Sequence, residues 1–200
     1  MIRIETLLTE QALADEFLLA LRARRLEEKF FYWFPLSVRA WLALCSDGAY
    51  RNYVRSRSLV ARSAGDLAAL VGPGPVEVLS LGAGQGDKDL LLLEALRARG
   101  ARAAYVPVDT SQALLELACA AATAAGFPAV GVKADIGRAD HLEAVRAEPE
   151  TPRRLVLVLG NTLGAFDPLE AARAVRRLLR SQDLVLLDGE LYAGPTTVAG

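Results

Sequence analysis

The feature that most constrains this chain is the nonapeptide LGAGQGDKD at residues 81–89, where Gly82, Gly84 and Gly86 alternate directly after the apolar run 76–81. A helical pattern, residues 87–99, follows at once. A strand that runs through alternate glycines into a helix turns tightly, and it brings backbone N–H groups to a helix N-terminus where no β-carbon keeps a ligand away. That is the layout of a nucleotide-binding βα turn. Two common versions do not match. The dinucleotide fingerprint G-x-G-x-x-G meets Asp87 at its third small position, where a carboxylate opposes a pyrophosphate. The phosphate loop G-x-x-x-x-G-K-[ST] does not align, because Lys88 stands between Asp87 and Asp89. The expected ligand is therefore nucleotide-like but not a polyphosphate.

The remainder of the chain supplies a sheet for this loop. Apolar runs at 76–81, 103–108, 129–132, 155–159 and 184–187 alternate with helical patterns at 87–99, 111–125, 141–148 and 168–180. Near-continuous Val and Leu strands separated by helices predict a mostly parallel sheet covered on both faces, a doubly wound, Rossmann-like α/β core that binds ligands at the carboxyl ends of its strands. Pro107 takes a ladder donor from the second of these strands and is tolerable near the strand's exit. Residues 1–72 show helical periodicity only. A helix of roughly twenty residues starts after Thr9 as N-cap, and others cover 37–45 and 50–70. The loop Gly72-Pro73-Gly74-Pro75 then divides a helical N-terminal region, 1–72, from the cofactor-binding core, 73–200.

Composition excludes several classes. With 200 residues, 52% of them hydrophobic and 24% charged, the chain is too apolar for disorder. A net charge of −1 gives no field for polyanions, so no nucleic-acid partner is expected. Cys45 and Cys119 lie far apart and His141 is the single histidine, which leaves no zinc cluster and no histidine-based triad. His141, within Asp140-His141-Leu142-Glu143, is expected on the surface. The Ala-rich stretch 117–132 is broken by Gly126 and Pro128, and charged residues flank the short apolar run near Phe17, so neither a membrane span nor a signal peptide is read. A soluble, cytoplasmic protein with a small-molecule partner is expected. Arg51, Arg55, Arg57 and Arg62 on the third helix read as a solvated face.

S-adenosylmethionine meets the ligand requirement: it carries an adenosine, a positive sulfonium and an amino-acid tail, and no phosphate. Asp109, closing the second core strand, is placed to accept hydrogen bonds from both ribose hydroxyls. Asp135, after the third, is placed to accept from the adenine amine or to be an ordinary loop acid.

LGAGQGDKD, YVPVDTS (residues 105–111) and LVLGNTLGAFDP (residues 157–168) resemble the glycine loop, second-strand exit and fourth-strand exit of the histidine-specific methyltransferase family, and KFFY at 29–32 is similar to the aromatic motif preceding that family's core. The resemblance covers about residues 29–190. It implies S-adenosylmethionine as cofactor, held by Gly82, Gly84, Gly86, Lys88, Asp109, Asp135 and Gly160, with the Lys88 ammonium on the methionyl carboxylate. It also implies a small-molecule acceptor, an amino acid or its amine, no metal, and positioning groups in place of covalent catalysts. Tyr32 and Asn161 are the candidates beside the reacting atoms, and Tyr50 and Tyr53 are candidates for the acceptor. An alternative reading makes residues 30–34 (FFYWF) a hydrophobic plug against the sheet. Gly164-Ala165 stands where the family's histidine-binding member has Gly-Asn, which argues against histidine as acceptor. Methyltransferase sheets normally add two strands after the fifth, so the chain is expected to lack its last strands. The rival functions are a non-catalytic cofactor-binding module on a degenerate scaffold, and a nicotinamide-dependent oxidoreductase, which Asp87 opposes.

Overall fold

The computed structural model describes residues 2–146 and 153–189. In chain order the elements are β1 (Arg3–Thr6), α1 (Glu10–Ala23), a 3-10 turn (Glu28–Tyr32), α2 (Pro35–Ser46), α3 (Arg51–Val71), β2 (Gly74–Leu81), α4 (Asp87–Ala98), β3 (Ala101–Asp109) and α5 (Gln112–Ala124). There follow β4 (Val130–Lys133), α6 (Ala139–Val145), β5 (Arg154–Val158), a second 3-10 turn (Thr162–Ala165), α7 (Pro168–Leu178) and β6 (Leu184–Leu187). The strands form one sheet in the order β1-β4-β3-β2-β5-β6, every pair parallel. This is the Rossmann-like α/β core expected from the strand pattern.

The central strand shows why the sheet is covered on both sides. Val76 and Val78 of β2 pack with Val60, Ala64 and Ala68 of α3 and Leu92, Leu93 and Leu96 of α4. The alternate residues Leu79 and Leu81 pack with Leu142 of α6 and Val175 and Leu178 of α7. The period of two along the strand thus sorts its side chains between two helical layers. Each fully buried Leu or Val among them contributes about 1.5–3 kcal/mol by leaving water. Serine and aspartate caps fix where helices start: Ser111 Oγ accepts from Leu114 N, and Asp167 Oδ1 accepts from Leu169 N and Glu170 N. Pro107 is also explained. Tyr105 N donates to Pro128 O at 2.8 Å, so the next N–H on that side of β3 would belong to residue 107. Having none, Pro107 interrupts the ladder, which resumes at Val108↔Val132.

Four expectations are corrected. Residues 1–72 are not helical throughout, since Arg3–Thr6 pairs with β4 in the register Ile4↔Gly131. An edge strand exposes most of its residues, and the polar sequence RIET therefore carries no apolar alternation. The roughly twenty-residue first helix is a 14-residue α1, ended by Arg24 in the left-handed conformation at φ 53°. His141 is buried, and its Nδ1 accepts the Asp135 N–H at 3.0 Å. The hydrophobic plug is partial: Phe30 is buried, but Phe31 and Phe34 are exposed, and Phe17 of α1 is the ring that Phe30, Trp33 and Phe34 all meet edge-on. The helix expected at 141–148 is observed as Ala139–Val145, and residues 147–148 lie outside the described residues.

Candidate functional site

The carboxyl ends of β2 to β6 open onto a cleft of about 890 Å³, roofed by the Glu28–Tyr32 turn, α2 and α3. The glycine loop forms its floor. Gly82, Gly84 and Gly86 all have positive φ (69°, 57° and 74°), a conformation other residues adopt only under strain. Their surroundings differ. A β-carbon on Gly82 would lie 2.7 Å from Thr162 Cγ2, so this glycine lets the β5 exit close on the loop. Gly84 faces open space and donates its N–H to Asp109 Oδ2 at 2.9 Å. Gly86 is buried away from the cleft, where a β-carbon would stand 2.9 Å from Ala118 Cβ and 3.0 Å from the Tyr105 hydroxyl. Expected from its spacing to border cofactor, it is observed as the contact point of α4, α5 and β3 and is not among the residues that line the cleft.

Asp109 ends β3 with both carboxylate oxygens held, Oδ1 by Ser111 N and Oδ2 by Gly84 N, each at 2.9 Å. Burial raises its pKa above the usual carboxylate range, and the N–H groups of Ser111, Gly84 and Thr110 oppose that rise. The residue is half-buried and lines the cleft, where its carboxylate keeps lone pairs for a ligand. Asp135 also lines the cleft, but its carboxylate already accepts from Gly137 N at 2.8 Å and from Lys29 Nζ at 2.7 Å. Lys29 in turn reaches Glu16 at 2.7 Å and Glu27 at 3.0 Å. Burial alone would lower the Lys29 pKa, yet the hydrogen bonds to Asp135, Glu16 and Glu27 outweigh it and the pKa is raised. Lys29 was missed by the sequence reading, although it opens the KFFY motif and is one of three lysines.

Lys88, Gly160 and Asn161 meet at the other end of the cleft. Gly160, at φ 75°, donates its N–H to Asp188 Oδ2 at 3.1 Å, and a β-carbon there would lie 2.5 Å from Lys88 Nζ. The Lys88 ammonium donates to Ser56 Oγ at 3.2 Å. Ser56 donates its own hydrogen to Asp188. Among the described residues no carboxylate lies within ion-pair reach of Lys88, so a half-buried cation faces the cleft with donors to spare. Asn161 takes the left-handed conformation at φ 63°, its N–H on Asp188 O at 3.2 Å and its amide over Gly164, where a β-carbon would be 2.7 Å from Nδ2. Ala165 lines the cleft beside it. Ser56 and Asp188 had not been singled out from sequence.

Aromatic rings run along the roof. Tyr32 meets Trp41 at 5.3 Å between centroids, Trp41 meets Tyr50 at 6.1 Å, and Tyr50 stacks on Tyr53 at 6.4 Å. Burial, then the charge of Glu28, pushes the Tyr32 phenol up to about 12, so it is neutral at physiological pH. The Tyr53 hydroxyl donates to Asp87 Oδ2 at 2.5 Å and accepts from Gln85 Nε2 at 2.9 Å, while Arg57 pairs with the same carboxylate at 3.2 Å. Asp87, the residue that departs from the dinucleotide fingerprint, thus anchors α3 onto the glycine loop. Arg57 serves that contact, which corrects its assignment to a merely solvated face. Beneath the loop, buried Asp89 accepts the Tyr105 hydroxyl at 2.5 Å.

The model of a family described as "Histidine-specific methyltransferase, SAM-dependent" matches residues 13–198. The chain belongs to this family. The motifs that carried the resemblance, the glycine loop, the exit of β3 and the exit of β5, all border the cleft. Within the family, the chain is 33% identical over 117 residues to the histidine N-alpha-methyltransferase of Mycobacterium tuberculosis (strain CDC 1551 / Oshkosh), covering 57% of this chain and 36% of that protein. It is 31% identical over 145 residues to the histidine N-alpha-methyltransferase of Mycolicibacterium smegmatis, covering 71% of this chain and 43% of that protein. The matches thus span less than half the length of these relatives. A methyltransferase structure from Thermobifida fusca YX shares the fold, with a TM-score of 0.50 at 17% identity over 76% of this chain and 59% of that one. No described helix is long and apolar enough to cross a membrane.

Proposed function

We propose that this chain binds S-adenosylmethionine in the cleft and serves methyl transfer to the amine of a small molecule, an amino acid or a close relative, in the cytoplasm. The observation that carries the reading is Asp109: a half-buried carboxylate lining the cleft, fixed by Gly84 and Ser111 N–H groups at the exit of β3, beside a glycine in open space. A ribose diol offers two donors to such an acceptor, and an NTP would bring its phosphates against Asp87. The donor set fits the whole cofactor. Gly82 and Gly84 would border the nucleoside, Asp135 would accept from the adenine amine on the side not taken by Lys29, and Lys88 with Gly160 would hold the carboxylate of the tail.

The bound cofactor supplies an electrophilic methyl on a sulfonium, so the protein's work is alignment and exclusion of water. The ring series Tyr32, Trp41, Tyr50 and Tyr53 would cover the neutral amine and present π-faces to the positive charge that develops on its nitrogen as the methyl arrives. Tyr32, whose phenol stays neutral, would accept a hydrogen bond from the amine and orient its lone pair, and Asn161 would fix a second polar group of the acceptor. The helices of the N-terminal region, Glu10 to Val71, would then cover the core whose sheet β1 joins from the same region. The family match favours this reading over a non-catalytic scaffold.

The test is transfer of labelled methyl from S-adenosylmethionine to a panel of amino acids and their amines. The proposal expects incorporation into at least one primary or secondary amine, and at least a tenfold loss in kcat/KM for Tyr32→Phe with its melting temperature held. Binding without incorporation into any acceptor would leave a cofactor-binding module.

A further inference from the structure

Four groups from four elements meet where the cofactor's tail is placed: Ser56 of α3, Lys88 of α4, Gly160 after β5 and Asp188 after β6. The hydrogen-bond directions are dictated by chemistry. An ammonium only donates and an ionised carboxylate only accepts, so the Ser56 hydroxyl must accept from Lys88 and give its single hydrogen to Asp188. Ser56 therefore stands between a cation and an anion that would otherwise attract each other directly. Attraction between opposite unit charges at contact in a partly buried cleft is far stronger than in bulk water. A Lys88–Asp188 ion pair would consume the donors that now face the cleft.

We propose that Ser56 is a positioning residue that keeps Lys88 from pairing with Asp188 and so holds its ammonium free for the carboxylate of the cofactor's amino-acid tail. The inference rests on the placement of the cofactor proposed above and adds the device by which α3 tunes one end of it. Ser56 lies three residues after Tyr53 and one before Arg57, the two side chains that bind Asp87. One face of α3 therefore docks on the glycine loop and sets the tail site in a single contact. Asp188, whose own backbone N–H bonds Val158 O at 3.0 Å and whose carbonyl accepts from Asn161, is fixed where it stands. In this arrangement the mobile partner is the lysine, and the hydroxyl decides where it points.

The experiment compares two ligands that differ in the tail alone. S-adenosylhomocysteine carries it, and 5′-methylthioadenosine does not. Both are titrated calorimetrically into the 200-residue chain and into Ser56→Ala, Asp188→Asn and the double variant. The expected result is about a tenfold weaker S-adenosylhomocysteine for Ser56→Ala with 5′-methylthioadenosine within about twofold of the parent. Adding Asp188→Asn removes the competing anion, so the double variant recovers to within about threefold of Asp188→Asn alone. An equal loss for both ligands in Ser56→Ala marks a structural role and overturns the proposal, as does a double variant no better than Ser56→Ala. If the parent binds both nucleosides equally well, the tail is not recognised and the Ser56 proposal falls while the nucleoside site stands. If the parent binds neither, the cofactor placement itself is wrong.

Discussion

At the residue scale the account turns on Asp109, which works because its neighbours are backbone N–H groups. Two fixed donors orient the carboxylate without neutralising it, and burial raises its pKa. The sign of the pH effect follows. A folded-state pKa above the unfolded value stabilises the fold below the unfolded pKa, and that contribution is lost as pH rises through the folded pKa. Ligand binding needs the ionised form, so affinity runs the other way, falling as pH drops through the same window. Asp109→Asn is expected to flatten both trends above about pH 4, the ordinary carboxylate value, measured by thermal denaturation and by titration with S-adenosylhomocysteine. Parallel pH profiles in parent and variant would assign the trends to other groups. That Asp109, Gly82 and Gly84 line the cleft was legible because their placement depends on local order: strand, turn, helix. Lys29 and Ser56 were not, since their partners Asp135 and Asp188 lie 106 and 132 residues away and no spacing rule links them.

At the element scale, the three glycines of one loop divide between binding and packing. The alternate spacing made them look equivalent, but Gly86 meets Ala118 and Tyr105 while Gly84 meets nothing. Gly86→Ala adds a left-handed backbone penalty to a clash with a neighbouring helix, a combined cost of about 2–4 kcal/mol. Urea denaturation should show that loss for Gly86→Ala and only the backbone part, about 1–2 kcal/mol, for Gly84→Ala. Equal losses would refute the division. The central strands were readable because buried parallel strands are continuous apolar runs, as in RLVLV of β5, and the edge strand β6 was readable from LVLL although most of it is exposed. β1 was hidden by the same logic, since its single apolar residue, Ile4, is all that an edge strand needs where Gly131 leaves room for it.

At the scale of the whole molecule, the N-terminal helices act as a cover keyed to the sheet at several points. Tyr53 and Arg57 reach Asp87, Ser56 reaches Asp188, and Lys29 reaches Asp135, so contacts from the first third of the chain touch the exits of β2, β4 and β6. A ligand in the cleft therefore bridges both parts and should stabilise them together. The family could be recognised from motifs because the motifs are the strand exits that border the ligand. The aromatic roof of the cleft could not, because it is built from side chains of separate helices whose meeting depends on the finished fold. The most direct test of the central claim is calorimetric titration of the chain with S-adenosylhomocysteine, with NAD as the comparison ligand and Asp109→Ala as the control. The account predicts saturable binding of S-adenosylhomocysteine, none of NAD, and at least a hundredfold loss in Asp109→Ala with the fold intact. Undiminished binding in Asp109→Ala, or a preference for NAD, would contradict it.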